Sequence, residues 1–220
     1  MKPLEAYERY LIKSEKNGTN DGLSTDNGRF SKLYNEFQNR FTEFIYERKN
    51  EDDLRQIQTL LVNDKRIDGD KKGNYFLFPL SKNYLDHSSL TIYGSKQDCT
   101  NKKFEILTEI KDFEKDKYLS SPNYEPSFEY RETLYSFTND NIKVYTTDFD
   151  INYILHSYYR YPKQIRLFDE NDPESEFLDM DLDFDEKIID RIISASVGGF
   201  YVNDLSEAWQ LHNIQSKTEL

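Results

Sequence analysis

The sequence predicts an α+β fold, with N-terminal helices, a central antiparallel β-sandwich or barrel-like domain, and C-terminal helices. Apolar residues recur at spacings of three and four in 29–49, which indicates an amphipathic helix. Short β-branched and aromatic runs separated by turn residues fill 75–159, which is typical of a small sandwich or barrel. Helical periodicity returns in 186–197, so a β-domain separates two helical regions.

Three regions follow from these changes of pattern. We expect an N-terminal helical region at 1–64, a β-domain at 65–168, and an acidic extended segment with C-terminal helices at 169–220. The two helical regions are expected to pack together. Only 36% of the residues are hydrophobic, so the 17 Tyr and 15 Phe must supply much of the buried area.

The N-terminal region is expected to hold three helices. The first covers 3–16 and starts at Pro3, with Leu4, Tyr7 and Leu11 as its apolar stripe. The third helix begins near Asn50 and is expected to pack on the second helix, which covers 29–49. The second helix has a strong apolar stripe, which consists of Phe30, Leu33, Tyr34, Phe37, Phe41, Phe44 and Ile45.

The β-domain opens with a polar connector at 65–74. A turn is predicted at Tyr93-Gly94-Ser95, and 112–130 is a long excursion with a short helix near 113–118. The predicted strands are 75–80, 89–93, 103–110, 129–137, 142–145 and 151–159.

The stretch 142–168 is predicted to be a β-hairpin with one buried face. Residues alternate along its second strand, and Pro162 should end the ladder because it lacks a backbone donor. Its tyrosines suit base stacking or packing, and we favour packing or a subunit interface because few cations lie nearby. The residues that mark this fold or interface are Tyr153, Tyr158, Tyr159, Arg160, Tyr161 and Pro162.

An acidic repeat precedes the C-terminal helices. Asp179, Asp181, Asp183 and Asp185 alternate with apolar residues, so they are weak candidates for a divalent-ion site; Phe184 stands where a calcium loop needs glycine. We expect an exposed acidic face instead. Asp185 is a plausible cap for a helix over 186–197 that Gly198-Gly199 stops, and a last helix follows over 204–215.

Charge and cysteine content restrict the function. The net charge of −12 disfavours binding to bare nucleic acid or anionic membranes. Cys99 is the single cysteine, and the three histidines are far apart in sequence without a metal-ligand spacing. No stretch is apolar enough to span a bilayer, so we expect a soluble chain that is made in a cytoplasm. No cofactor motif or catalytic motif is present, and we expect no enzyme.

Several short motifs occur in a recognisable order. They are Phe78-Pro79-Leu80-Ser81-Lys82-Asn83-Tyr84, Ser121-Pro122 with Glu125-Pro126, Val144-Tyr145, Tyr158-Tyr159-Arg160-Tyr161-Pro162-Lys163, and Phe184-Asp185-Glu186-Lys187-Ile188-Ile189-Asp190 followed by Ala195. In this order, over about 28–200, the chain resembles the head-to-tail connector or neck ring proteins of tailed bacteriophages, especially those of crAss-like phages. Phe78 replaces the family's leucine before the proline, and Asn83 replaces the aspartate before Tyr84.

The resemblance implies a structural virion protein of the neck or tail, assembled in the host cytoplasm. Its partners would be further copies of itself in a cyclic ring, commonly twelvefold in that family, together with the portal and neighbouring ring or tail proteins. Genomic DNA would pass through the ring without sequence-specific binding during packaging, retention and ejection. No catalytic residues carry over. The alternative is an acidic, phage-encoded host-interaction protein or DNA mimic, which the net charge and the acidic stretch 169–190 motivate.

Overall fold

The computed structural model describes residues 1–16, 27–48, 50–97, 99–121, 123–166 and 180–201. The chain divides into two compact units. A helical unit combines Met1–Leu60 with Tyr161–Leu220, and a β-unit comprises Leu61–Arg160. The predicted α+β class, with helices from both ends of the chain, is confirmed. No helix in the described part of the chain is both long and apolar enough to cross a membrane.

In its described residues, the helical unit contains three α-helices from the N-terminal region and one from the C-terminal region. A 3-10 turn over Arg55–Leu60 follows the third helix, so the predicted third helix is mostly not α-helical. The predicted helix at 204–215 lies outside the described residues. The helices are α1 (Pro3–Lys16), α2 (Asn27–Arg48), α3 (Glu51–Leu54) and α5 (Glu186–Tyr201), with α4 belonging to the β-unit.

The buried face of α1 differs from the predicted stripe. Ala6 and Tyr10 are buried, whereas Leu4 is exposed. Tyr10 packs on Phe30 of α2, with ring centroids 4.9 Å apart, and Arg9 pairs with Asp190 of α5. The inward face is therefore rotated from Leu4 towards Ala6 and Tyr10, because the orientation of a helix depends on which of its side chains the neighbouring helices cover.

The apolar stripe of α2 is buried as predicted, apart from the half-buried Phe44. Phe41 packs edge to face on Phe184, with ring centroids 5.7 Å apart. Asp185 accepts a hydrogen bond from the Ile188 N–H at 2.9 Å, which confirms it as the cap of α5. The prediction that Gly198-Gly199 stops the helix is wrong: α5 continues to Tyr201, because a glycine ends a helix only when it takes a left-handed conformation.

The described strands of the β-unit form two sheets. The strands are β1 (Leu61–Ile67), β2 (Asp70–Lys72), β3 (Tyr75–Pro79), β4 (Tyr84–Lys96), β5 (Cys99–Lys103), β6 (Ile106–Glu109), β7 (Glu132–Phe137), β8 (Asn141–Tyr145) and β9 (Asp150–Arg160). One sheet is four-stranded in the order β1-β9-β4-β5, and the other is five-stranded in the order β2-β3-β8-β7-β6. The pairings between these strands are antiparallel except that of β6 with β7, which is parallel and makes the second sheet mixed.

The predicted hairpin at 142–168 is wrong. β8 pairs with β3 and β7, whereas β9 pairs with β1 and β4 in the other sheet. The link between them carries Phe149, which is buried among Phe104 and Phe128. The buried aromatic side chain anchors the link where the chain crosses from one sheet to the other. In the sequence this link resembles an ordinary short turn between two paired strands, so the crossing was not predicted.

Three further predictions in this unit are corrected. The connector at 65–74 is strand β1 and strand β2, so 61–64 of the predicted helical region are also strand. The turn predicted at Gly94 lies inside β4, where the glycine allows a close approach: a Cβ there would lie 2.7 Å from the Asp150 carbonyl oxygen. The strand predicted at 103–110 is divided between β5 and β6, because Phe104 turns into the core.

The core of the β-unit lies between the two sheets. Both sheets contribute to it, with Ile92 and Ile154 from one and Phe78 and Val144 from the other. The predicted excursion after β6 contains a 3-10 turn (Asp112–Glu114) and helix α4 (Lys115–Leu119). Residues of α4 cover Leu134 and Tyr145 on the outer face of the five-stranded sheet.

Candidate functional site

β9 is the central strand on which most of the predicted site residues lie. Its side chains alternate between the two faces of the four-stranded sheet, so the structure separates the predicted tyrosines. Tyr158 is buried on the inner face of the sheet. Tyr153 lies on the outer face and stacks on Tyr93, with ring centroids 4.8 Å apart. Tyr161 and Pro162 follow the strand and belong to the helical unit. In that unit the Tyr161 hydroxyl donates to Glu43 at 3.2 Å.

The inner face brings together two histidines that are far apart in sequence. The Nδ1 atom of His87 on β4 lies 3.2 Å from the Nε2 atom of His156 on β9. Their aromatic rings are stacked, with centroids 5.3 Å apart. One neutral imidazole must donate the shared hydrogen bond to the other. The pair therefore holds a single proton between its facing nitrogens.

Aromatic side chains from both sheets surround this pair. Tyr84 and Tyr158 contact His156, and Phe137 of β7 contacts His87 with centroids 5.1 Å apart. His156 is 1% exposed, and its Nδ1 atom has no hydrogen-bond partner in the described part of the protein. A buried imidazole nitrogen without a partner costs less free energy as a neutral acceptor than as an N–H group of a charged ring.

Burial sets the electrostatics of the cluster. It lowers the pKa of His156 to about 4, and the charge of Lys65, together with that of His87 when it is protonated, acts in the same direction. Burial also lowers the pKa of His87, against the attraction of Glu109 and Asp86. Tyr135 has its pKa raised to about 12 by burial and by Glu109. At neutral pH the histidines are therefore uncharged and the tyrosine is protonated.

The outer face of the same sheet carries a row of aromatic and basic side chains. The Arg66 guanidinium lies 4.1 Å from the Tyr153 ring centroid and also donates to Asp68. Tyr153 pairs across the strands with Tyr93, which pairs with Lys103. Because Arg66 and Tyr93 cover Tyr153 from two sides, its ring face is not open for stacking on a base.

The acidic repeat is engaged in structural contacts. Asp181 pairs with Lys2 at 3.4 Å. Asp183 accepts the Lys163 backbone N–H at 2.6 Å, and its side chain is 7% exposed. The expected exposed acidic face is therefore wrong for Asp183, because this carboxylate turns inward to a backbone donor. Asp179 lies outside the described residues. No group of three or more metal-ligating side chains occurs in the part of the chain that the structure describes.

A polar cleft of about 690 Å³ lies beside the excursion. Its lining includes Glu125, Glu132 and Thr147, and Lys96 reaches in to pair with Glu129 and Asp148. The single positive charge of Lys96 offsets one of these two negative charges. One wall of the cleft is thus held by internal ion pairs.

Sequence reasoning missed the histidine pair. His87 and His156 are 69 positions apart, and only the register of β4 against β9 brings them together. His156 lies in the predicted strand 151–159, whereas His87 lies just before the predicted strand 89–93 and belongs to β4 only in the structure. The chain matches no known family model and no curated protein.

Proposed function

We propose that this protein is a structural subunit of an oligomeric ring in the neck or tail of a tailed bacteriophage. It would sit next to the portal and form part of the channel for genome packaging, retention and ejection. The order of sequence motifs supports the phage assignment, and one surface of the β-unit supports assembly with other protein chains.

That surface surrounds the edge strand β6. We call Ile106, Phe113 and Tyr130, together with β6, the β6 surface. These three side chains are 51%, 82% and 77% exposed. Tyr130 precedes Arg131, whose carbonyl oxygen accepts hydrogen bonds from Glu105 and Ile106, while Phe113 follows the other end of the strand. Exposed large apolar side chains at both ends of an edge strand are typical of a protein–protein contact.

The proposed role is geometric and requires no chemical step. A closed cyclic assembly needs a heterologous contact, in which two different surfaces of each subunit meet. The β6 surface would be one of them. The burial of its apolar side chains between neighbouring subunits would stabilise the ring, and DNA would pass through the channel without base-specific contacts.

Native mass spectrometry and negative-stain imaging of the purified protein test the assembly. We expect closed rings, with twelve copies as the first expectation. Phe113→Ser with Tyr130→Ser should shift the population towards monomers without changing the circular dichroism spectrum. Ile12→Ser is a matched control, because Ile12 is 53% exposed on α1. A wild-type protein that stays monomeric at every concentration contradicts the proposal, as do particles that lack this chain between capsid and tail.

The distribution of charge favours a second candidate. The β-unit has 14 basic and 16 acidic residues, a net charge of −2, so −10 of the total −12 lies in the helical unit. Such a protein could bind a basic, DNA-binding partner as a mimic of DNA. Pull-downs at low and high salt test this, because a mimic should release its partner as salt rises. Binding that does not respond to salt, or no such partner at all, contradicts it.

A further inference from the structure

The outermost strands of the five-stranded sheet are β2 and β6, and neither has a further strand partner among the residues that the structure describes. In the parallel pairing with β7, the N–H groups of Ile106 and Ile110 point to the Arg131 and Tyr135 carbonyl oxygens. The backbone groups of Leu107 and Glu109 therefore point outward. Lys72 at the end of β2 and Tyr75 at the start of β3 flank a two-residue turn and face each other. Because backbone groups alternate in direction along a strand, those of Lys71 point outward, away from β3.

The directions of the strands make these two edges compatible. β2, β3, β8 and β7 alternate in direction, and β6 runs parallel to β7. β6 therefore runs opposite to β2. If a second copy continued the sheet with the same orientation, its β2 would lie antiparallel to β6 of the first copy. Head-to-tail repetition preserves this relation around a ring.

The side chains at the two edges are also complementary. Glu109 is paired in register with Tyr135 of β7, and Lys71 is paired in register with Phe76 of β3. Both aromatic side chains face the core between the sheets. Glu109 and Lys71 would thus project on the same face of a continued sheet. Lys71 already pairs with Asp150 of its own chain at 2.5 Å, so Glu109 would approach this cation as a second carboxylate. We propose that β6 of one copy pairs antiparallel with β2 of the next copy, with Glu109 opposite Lys71 and Thr108 opposite Lys72. This contact rests on the proposed ring function. It makes β2 of the next copy the surface that the β6 surface meets.

The other possible edge contacts are less favourable. The edges of the four-stranded sheet, β1 and β5, contain the left-handed residues Asp64 and Asn101, with φ of 46° and 54°, whereas neither β2 nor β6 contains such a residue. Local irregularities of this kind hinder edge pairing. Antiparallel pairing of β6 with a second β6 about Leu107 would place Glu109 opposite Glu105, and like charges in direct register are destabilising.

Disulfide cross-linking tests the register. Thr108 and Lys72 would form a non-hydrogen-bonded pair with Cα atoms about 4.5 Å apart, within the range for a disulfide. In a Cys99→Ser background, Thr108→Cys with Lys72→Cys should give a ladder of dimers, trimers and larger species on a non-reducing gel. An equal mixture of the two single variants should give dimers only, because each copy then has one thiol. Dimers from Leu107→Cys alone, whose residue would face itself in β6–β6 pairing about Leu107, would overturn the proposal.

Charge exchange tests the Glu109–Lys71 pair independently. Glu109→Lys or Lys71→Glu should raise the protein concentration at half-assembly by about tenfold, which corresponds to ~1.4 kcal/mol per contact. The double variant should recover most of this loss. Lys71→Glu also breaks the pair of Lys71 with Asp150 within the chain, so the unfolding free energy of this variant is measured alongside its assembly. Lys82→Glu, at an exposed position, is the matched control. Wild-type rings that respond neither to these changes nor to cross-linking overturn the contact but leave the proposed function; a monomeric wild-type protein overturns both.

Discussion

His87 and His156 face each other across β4 and β9 with 3.2 Å between Nδ1 and Nε2. The two strands that hold them are neighbours in the four-stranded sheet. Aromatic residues of the other sheet cover the pair. The histidines are thus packed as a part of the core, and their protonation is coupled to the folding of the β-unit.

We predict that acid destabilises the protein through His156. Its pKa falls from the ordinary 6.5 to about 4 in the folded state, so the unfolded chain binds a proton first as pH drops. Stability is therefore lost as pH falls from about 6.5 to about 4, by up to ~3 kcal/mol. Urea unfolding at a series of pH values measures this.

His156→Phe keeps the aromatic packing and removes the titrating group. The difference in unfolding free energy between wild type and this variant should change across the same pH window. Carboxylates titrate in both proteins and cancel in the comparison. A difference that is independent of pH would show that His156 is not responsible.

We predict that Gly94→Ala destabilises the β-unit by about 1–3 kcal/mol. A Cβ at this position would lie 2.7 Å from the Asp150 carbonyl oxygen and 2.8 Å from the Phe104 ring, so the strand or the core must shift. Gly198→Ala is the matched control, since nothing lies within 4 Å of its Cβ, and it should stabilise α5 by up to about 1 kcal/mol. Thermal unfolding distinguishes the two; equal effects would contradict the crowding at Gly94.

We predict that Asp185→Ala lowers the unfolding free energy by about 1 kcal/mol, because the Ile188 N–H at the start of α5 loses its acceptor. Asp185→Asn should retain most of the stability, since an amide oxygen also caps a helix. Asp181→Ala is the control: this residue is exposed and makes a surface ion pair, which is worth little. If Asp181→Ala cost as much as Asp185→Ala, the cap would not be the cause.

We predict that calcium leaves the melting temperature unchanged. Asp181, Asp183 and Asp185 are directed to a lysine, a backbone N–H and a helix start, respectively, and do not converge on one point. Differential scanning calorimetry with calcium and with chelator provides the measurement. A rise in melting temperature that Asp183→Asn abolishes would restore the ion-site hypothesis.

Local sequence determined the helices and most of the strands. The apolar stripe of α2, the cap at Asp185 and the end of β9 before Pro162 all depend on spacing and on backbone chemistry within a few residues. The same local signals failed at Gly94 and Gly198. A glycine is compatible with a turn, a helix end or a close approach, and only the neighbouring atoms decide among them.

The tertiary structure alone decided which strands pair. Alternation along β8 and β9 specifies a buried face but not the strand beside it, so the apparent hairpin separates into two sheets. The same limit hid the histidine pair, whose members meet through the register of β4 with β9. It also hid the relation between β2 and β6, since the direction of an edge strand depends on every pairing between the edges. The sequence by itself determined which residues are suited to burial, because that preference is local; their partners were decided by packing, because contacts between distant segments depend on the whole sheet.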